Sequence, residues 1–186
     1  MIESERLILR PFKKGDEKDL FEYLKNPPVN CFLDMKKETL EDTLKEVLEK
    51  AKDPLYFAII LKDENKLIGE INASKEVICP KESNSDSLTY SICWMLNKKY
   101  QGKGYACEAA CTFFNYLFNE LHARRLFAYV EDYNISSQNL CLRLGMRKEG
   151  EFKEYVSFIN DKNGNPIYEN TWQYAILKNE WDNIEK

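Results

Sequence analysis

The stretch Gln101-Gly102-Lys103-Gly104-Tyr105-Ala106 separates a predicted strand, Leu88–Leu96, from the strongest predicted helix of the chain, Tyr105–Leu121. Glycine lets the backbone approach a ligand closely, and the free N–H groups at the start of a helix favour an anion. Lys103 adds a local positive charge. The stretch therefore predicts a pyrophosphate site, with a glycine turn that only connects strand and helix as the open alternative.

Two other phosphate-binding motifs do not match this stretch. A Walker loop ends in glycine, lysine and a hydroxyl residue, whereas Lys103 is followed by Gly104. A dinucleotide-binding fingerprint needs a glycine-like residue three positions after Gly104, and Cys107 stands there. Both nucleotide-binding classes are therefore disfavoured.

The elements around the loop predict a mixed sheet. Leu88–Leu96, the helix and the strand Leu126–Val130 form a crossover unit, so we expect these two strands to be parallel. Asp16 is expected to cap a helix ending at Leu24, and a helix Thr39–Lys52 to bury one apolar face formed by Leu40, Leu44, Val47, Leu48 and Ala51. The other predicted elements are the strands Arg6–Pro11, Tyr56–Leu61, Leu67–Ala73, Met146–Phe152, Tyr155–Ile159 and Thr171–Leu177, the helix Ser136–Leu144 and the loop Ile78–Ser87. With the remaining strands antiparallel, the order of elements predicts an α/β (α+β) fold.

Size and charge limit the function classes. The chain has 186 residues, which is the length of one ordinary domain. Its net charge of -4 and pI near 5.3 argue against nucleic acid as a partner, because phosphate backbones require a basic face. A slightly acidic balance suits a cationic substrate, and equally suits plain solubility.

The N-terminus and the cysteines indicate a reducing compartment. Met1–Arg6 has neither the basic start nor the apolar core of a signal peptide, and the apolar run Tyr56–Leu61 is too short to span a membrane. We therefore expect a cytoplasmic protein with reduced thiols. Cys107 and Cys111 belong to an apolar helical stripe, and a single histidine, His122, cannot build a zinc site, so no metal is predicted.

The loop resembles motif A of the GNAT acetyltransferases, whose pattern is Gln/Arg-x-x-Gly-x-Gly/Ala. Gln101, Gly104 and Ala106 occupy its three fixed positions. Other stretches are similar, in the same order, to the ribosomal-protein N-acetyltransferase branch: Ser4–Pro11, Leu67–Gly69, Gly104–Ala109, Asn134–Ser137, Leu144–Met146, Glu149–Gly150 and Glu180–Trp181. The resemblance covers nearly the whole chain.

This resemblance implies one GNAT domain over residues 1–186. Its fold would be a seven-stranded, mostly antiparallel sheet with helices on both faces. Acetyl-CoA would be the co-substrate, bound where the parallel strands Leu88–Leu96 and Leu126–Val130 splay apart. Its pyrophosphate would meet Gln101, Gly102, Lys103, Gly104, Tyr105 and Ala106; its pantetheine would pair with the backbone of Trp94, Met95 and Leu96; and Asn134 would reach it from the other side.

The catalytic residues implied by the family are only partly present. Acyl transfer to an amine needs no covalent enzyme intermediate, but the leaving thiolate needs a proton or a hydrogen bond. Ser137 is the first candidate for that contact, with helix capping as its alternative. Cys141 stands where many relatives carry a tyrosine acid, and packing is its favoured role. Glu154 is a candidate base, and an exposed strand carboxylate is the alternative. Ser91 and Asn170 replace family carboxylates.

The resulting hypothesis is an acetyl-CoA-dependent N-acetyltransferase that acts by direct attack in a ternary complex. Its acceptor is a primary amine, either a protein N-terminus or a small amine, and the segment Lys75–Ser87 would line the acceptor side. Nucleic acid and membranes are not expected as partners, and the assembly is left open between monomer and homodimer. The competing hypothesis is a non-catalytic acyl-CoA-binding or sensor domain.

Overall fold

The computed structural model describes residues 1–76 and 88–184. The chain divides into two compact units, the first formed by Met1–Ala73 and Cys93–Tyr116 and the second by Ser74–Ile92 and Leu117–Lys186. The predicted loop Ile78–Ser87 lies outside the described residues. The prediction of a single domain stays a prediction.

The elements follow the predicted order closely. The strands are β1 Ile2–Glu3, β2 Leu7–Pro11, β3 Tyr56–Leu61, β4 Lys66–Lys75, β5 Thr89–Leu96, β6 Arg125–Glu131, β7 Arg147–Asn160 and β8 Pro166–Leu177. The α-helices are α1 Glu17–Leu24, α2 Leu40–Lys50, α3 Tyr105–Asn119, α4 Ile135–Arg143 and α5 Lys178–Asp182, and 3₁₀ turns span Asn30–Met35 and Lys98–Tyr100.

The predicted α/β class with its mixed, mostly antiparallel sheet is confirmed. The strand order is β1-β2-β3-β4-β5-β6-β8-β7. β5 and β6 run parallel, and β1–β2, β2–β3, β3–β4, β6–β8 and β7–β8 are antiparallel. The resemblance implies seven strands, whereas the described residues form eight. The chain start adds the short β1, and two of the strands named from the sequence are a single strand, β7.

Helices cover both faces of the sheet in the first unit. Ala58 and Ile60 of β3 belong to the same core as Leu20 of α1 and Val47 of α2. Phe57 points to the opposite face, because side chains alternate along a strand. Its ring centroid lies 5.5 Å from that of Phe113 of α3.

Asp16 does not cap α1 as predicted. Its carboxylate accepts two hydrogen bonds from the Arg10 guanidinium, both at 2.7 Å, and one from the Lys13 N–H at 2.9 Å. The residue stands at the N-cap position without a side-chain cap bond. The ion pair with β2 competes successfully with capping because Asp16 is buried and Arg10 can satisfy both of its oxygens.

The predicted apolar face of α2 is only partly right: Val47 is buried as predicted, but Ala51 is exposed. Leu40 and Leu48 are 45% and 46% exposed, whereas Thr43, Val47 and Lys50 form the buried stripe. Lys50 is buried because its Nζ donates to Glu70 Oε1 of β4, at 2.9 Å, and to the Tyr56 hydroxyl, at 2.6 Å. The Tyr56 and Tyr23 hydroxyls also donate to Glu70, at 2.8 and 3.1 Å. A buried ion pair thus replaces the leucines that the apolar periodicity favoured.

In the second unit, the strands near the end of the chain differ from those predicted. The predicted strands Met146–Phe152 and Tyr155–Ile159 are one strand, β7, which pairs with β8 on both sides of an irregularity. Phe152 lies opposite Thr171 and Val156 opposite Glu169, so three residues of β7 face one residue of β8. This is an enlarged β-bulge, and a bulge reads in sequence like a break between strands.

Candidate functional site

The loop predicted to bind pyrophosphate is exposed and leads directly into α3. Gly102 has φ 76 and Gly104 has φ 83, a left-handed backbone that residues with a Cβ rarely adopt. Apart from Gly102 itself and its two chain neighbours, no heavy atom of residues 1–76 and 88–184 lies within 4 Å of the place a Cβ would take on Gly102. Since the first N–H groups of a helix have no intrahelical acceptor, this open end suits a phosphate group.

Arg6 braces this loop from the start of β2. Its Nη1 donates to the Lys103 carbonyl oxygen at 3.1 Å, and its guanidinium carbon lies 4.5 Å from the centre of the Tyr105 ring. A Cβ on Gly104 would stand 3.3 Å from Arg6 Nη2. The loop therefore carries a second cation beside Lys103, in a fixed position.

Glu108 of α3 holds Arg6 in place. Oε2 accepts from Arg6 Nε, and Oε1 accepts from the Arg6 N–H and from the Ser4 hydroxyl, each at 2.7 Å. Burial opposes ionisation of this carboxyl, but the hydrogen bonds from Ser4 and Arg6 outweigh it and lower the Glu108 pKa. Sequence reasoning used these residues only as matches to the family. The contact joins residues 102 positions apart, which leaves no local signal.

Gln101 and Lys103 have partners within the protein. Gln101 Nε2 donates to the Leu96 carbonyl oxygen at 3.1 Å, which fastens the loop to the end of β5. Lys103 Nζ lies 5.3 Å from the centre of the Tyr100 ring. The backbone of the loop, rather than the Gln101 amide, is thus the part arranged to meet an anion.

The end of β5, where the pantetheine contact is predicted, lies against β4. The Asn97 N–H donates to the Ile68 carbonyl oxygen at 2.8 Å. A Cβ on Gly69 would come within 2.5 Å of the Met95 carbonyl oxygen, so glycine permits this close approach. Met95 and Leu96 are buried and Trp94 is half-buried. The pantetheine contact itself stays a prediction.

The parallel ladder between β5 and β6 is short. It runs from Thr89 opposite Arg125 to Ser91 opposite Phe127. β6 continues to Glu131, and within the described part of the chain Ala128 to Glu131 have no parallel partner in β5.

Asn134 caps α4 in the second unit. Its Oδ1 accepts from the Ser137 N–H at 3.2 Å. Asn134, and not Ser137, is therefore the N-cap, which corrects the capping alternative considered for Ser137. Ser137 lies half-buried in the first turn of the helix. The cofactor contact of Asn134 and the sulfur contact of Ser137 stay predictions.

Cys141 lies one helical turn after Ser137 and is fully buried. Burial raises the pKa of its thiol to about 12. Such a thiol is neutral at pH 7 and closed to solvent, which favours the packing role over proton donation.

Glu154 lies exposed on the bulge of β7 with φ 47. Its N–H donates to Asn170 Oδ1 at 3.0 Å, and Asn170 Nδ2 donates to Asp132 Oδ2 at 2.8 Å. Asn170, which stands where the resembled family has an aspartate, thus fixes the bulge. The role of Glu154 as a base stays a prediction.

Comparison with known proteins decides the family. The family model described as an acetyltransferase (GNAT) domain matches residues 6–147, a span that includes β2, the loop, α3 and α4. The chain belongs to the GNAT acetyltransferases. The GNAT N-acetyltransferases use acetyl-CoA as co-substrate, and the open helix end with Arg6 and Lys103 beside it fits a pyrophosphate.

Relatives extend the match over nearly the whole chain. An uncharacterized N-acetyltransferase, YnaD of Bacillus subtilis, is 34% identical over 182 residues, which are 97% of this chain and 99% of that protein. The ribosomal protein uS5-alanine N-acetyltransferase of Escherichia coli is 35% identical over 101 residues, 54% of this chain and 49% of its own. A GNAT-family acetyltransferase from Bacillus anthracis has a crystal structure that matches with TM-score 0.80 at 32% identity, covering 96% of this chain and 98% of its own.

The described residues contain neither a candidate metal centre nor a candidate membrane-spanning helix. Residues 1–76 and 88–184 hold no group of His, Cys, Asp and Glu side chains suited to a metal ion. In these same ranges no helix combines the length and apolar character needed to cross a bilayer.

Proposed function

We propose that this GNAT enzyme transfers the acetyl group of acetyl-CoA to a primary amine, with the pyrophosphate bound at Gln101–Ala106. The observation that carries the proposal is the pair of left-handed glycines at the open end of α3, held by Arg6. Preorganised N–H groups and a fixed cation bind an anion without a cost of rearrangement.

The chain's own groups would position the reactants rather than react with them. Acetyl-CoA supplies the thioester, and the backbone near Trp94 and Met95 would donate to the developing oxyanion. Ser137, in the first turn of α4, is the proposed hydrogen-bond donor to the departing sulfur. The amine would lose its proton to water or to the exposed Glu154. Positioning of this kind supplies a large part of the rate enhancement of many transfer enzymes.

The acceptor is proposed to be a protein N-terminal amine or a small amine. The relative from Escherichia coli carries ribosomal protein uS5-alanine in its name, which supports the first choice over the part of the chain that it matches. The net charge of -4 suits a cationic amine of either kind.

Binding of coenzyme A tests the site. Saturating coenzyme A should raise the melting temperature by mass action. Gly104→Val should weaken binding at least tenfold, about 1.4 kcal/mol, because the loop cannot keep its left-handed turn. Gly164→Val is the matched control: Gly164 has φ 86 and open space around it, in the turn between β7 and β8. An equal loss in both variants, or none in Gly104→Val, refutes the proposed site.

Thiol release from acetyl-CoA with a panel of amines tests the reaction. Release that depends on both acetyl-CoA and an amine supports transfer. If coenzyme A binds at the loop but no amine, peptide N-terminus or ribosomal protein releases thiol, the non-catalytic acyl-CoA-binding function replaces the enzyme.

A further inference from the structure

Gln138 of α4 is a buried polar residue whose side chain holds the end of β6. Its Nε2 donates to the Glu131 carbonyl oxygen at 3.1 Å and to the Asp132 carbonyl oxygen at 2.8 Å. The residue is 6% exposed. A side-chain amide nitrogen carries two protons, so both are used on successive carbonyls of the turn that joins β6 to α4.

Backbone hydrogen bonds give this turn a defined shape. The Asn134 N–H donates to the Glu131 carbonyl oxygen, and the Ile135 N–H to the Tyr133 carbonyl oxygen, both at 3.0 Å. Asn134 has φ -84 and ψ 67, the inverse γ-turn conformation that is common at strand ends. Gln138 contacts the turn a second time, because its backbone N–H donates to the Asn134 carbonyl oxygen at 3.1 Å.

Asn170 of β8 holds the same turn from another side. Its Nδ2 donates to Asp132 Oδ2 at 2.8 Å, and its carbonyl oxygen accepts from the Asp132 N–H at 3.1 Å. Gln138 and Asn170 thus hold Asp132 by its carbonyl oxygen, its side chain and its N–H. All of these residues belong to the second compact unit.

The turn determines where two residues of the proposed site stand. Asn134 Oδ1 accepts the cap bond from the Ser137 N–H, which leaves Nδ2 to meet a ligand. Ser137 directly precedes Gln138 in the first turn of α4. A movement of the turn would displace both residues, and a displacement of about 1 Å is enough to slow a transfer reaction strongly.

We infer that Gln138 is a positioning residue, whose side-chain amide fixes the turn so that Asn134 Nδ2 and the Ser137 hydroxyl meet acetyl-CoA. Burying an amide is unfavourable unless its hydrogen bonds are made, so an apolar side chain would serve packing alone better. The inference rests on the proposed function, which assigns the cofactor contact to Asn134 and the sulfur contact to Ser137.

The first experiment is a double-mutant cycle on coenzyme A binding. Gln138→Met keeps a side chain of similar length and helix propensity but removes both donors, and it should raise the Kd about 3- to 10-fold. Asn134→Ser removes the amide donor and keeps a capping residue. In that background Gln138→Met should change the Kd by less than about twofold, because the contact through which it acts is gone.

Two control variants on α4 separate positioning from a general loss of stability. Asn139→Met introduces methionine at the exposed neighbouring position and should leave the Kd unchanged. Leu140→Ala removes buried packing but keeps the amide contacts, so it should lower the melting temperature without changing the Kd. A rise of the Kd in Leu140→Ala equal to that in Gln138→Met overturns the inference.

Asn170→Ala provides a second route to the same test if Gln138→Met does not fold. It removes the side-chain bond to Asp132 and loosens the turn from β8. The Kd for coenzyme A should rise in the wild-type background and change by less than about twofold in the Asn134→Ser background. An unchanged Kd in Asn170→Ala and in Gln138→Met overturns the inference.

The second experiment measures single-turnover acetyl transfer at saturating acetyl-CoA. Gln138→Met should lower the rate about tenfold in the wild type, and by less than about twofold when Ser137 is already alanine. If Ser137→Ala is neutral, the donor role of Ser137 fails and the binding cycle alone decides the role of Gln138.

The outcomes distinguish this inference from the transferase function. If coenzyme A binds to the wild type but the losses from Gln138→Met and Asn134→Ser add, Gln138 has only a structural role and the transferase stands. If the wild type does not bind coenzyme A, the proposed function fails and the positioning role fails with it.

Discussion

At the scale of single residues, the phosphate loop depends on one guanidinium group. Arg6 connects three features of the site: the Lys103 carbonyl, the Tyr105 ring and the Glu108 carboxylate. Its side chain is 42% exposed, so the pairing with Glu108 contributes little to stability through charge alone. These contacts hold the loop in one conformation, so we expect them to affect the affinity for coenzyme A more than the stability of the fold.

Arg6→Gln should therefore weaken coenzyme A binding about 3- to 10-fold with little loss of stability. The control is Arg10→Gln. Arg10 lies on β2, and this change removes a two-bonded ion pair with Asp16 that does not involve the loop. We expect Arg10→Gln to lower the melting temperature while leaving the Kd for coenzyme A unchanged. Calorimetric titration of both variants measures this, and an equal Kd for Arg6→Gln and wild type would contradict the bracing role.

Single substitutions also distinguish the roles of Ser137 and Cys141. Ser137→Ala should lower turnover by roughly 10²–10⁴-fold, the usual range for a positioned acid, with unchanged coenzyme A binding. Its N–H cap bond to Asn134 persists in alanine, so a loss of activity is not a loss of capping. Cys141→Ala should cost about 1–2 kcal/mol of stability through the lost packing and little turnover. The reverse ranking, measured at saturating acetyl-CoA, would assign proton donation to Cys141.

At the scale of elements, α2 is joined to β4 by a buried ion pair. Lys50 and Glu70 are nearly inaccessible to solvent, and two tyrosines complete the hydrogen bonds of the carboxylate. Removing one partner of such a pair leaves an uncompensated buried charge. Helix amphipathicity could not reveal this contact, because a lysine normally counts as part of the exposed face.

Lys50→Met should lower the free energy of unfolding by about 3–5 kcal/mol, since Glu70 loses its cation. The double variant Lys50→Met with Glu70→Gln should recover a large part of that loss. Lys45→Met serves as the control on α2, because its pairs with Glu41 and Asp42 are exposed, and it should cost little stability. Urea denaturation of these three variants and of Glu70→Gln alone measures the losses. A loss in the double variant equal to the sum of the two single losses would contradict the coupling.

The strands β3 and β7 show why the positions of elements are more predictable from sequence than their boundaries. β3 was predicted residue for residue, because Tyr56–Leu61 is an apolar run with a proline before it and a polar turn after it. The break predicted inside β7 was wrong because pairing with β8 resumes after the bulge, and that pairing is invisible in the local sequence.

At the scale of the whole molecule, we propose that the two compact units unfold as one domain. The GNAT match spans parts of both units, from residue 6 to residue 147. Trp94 lies in the first unit and Trp181 in the second, where its ring stacks on Phe118 with centroids 6.0 Å apart. Each tryptophan can therefore report on its own unit.

Variants that keep only Trp94 or only Trp181 should show thermal midpoints equal to the global midpoint from circular dichroism of the same variant. Coincident midpoints are the expected result, because the parts of a single cooperative domain unfold in one transition. Midpoints that differ between the tryptophan signal and circular dichroism in either variant would show two domains.

The sequence by itself determined the GNAT family, the order and type of the elements, the parallel β5–β6 pair and the glycine loop before α3. These features are encoded locally, in periodicity, turn residues and short motifs, and they can be inferred from neighbouring positions. The tertiary structure alone decided that Arg6 and Glu108 brace the loop, that Lys50 is buried on Glu70, and that Asn170 joins the turn before α4 to β8. Each of these joins residues distant along the chain, and burial with a partner reverses what the same side chains do when exposed to water.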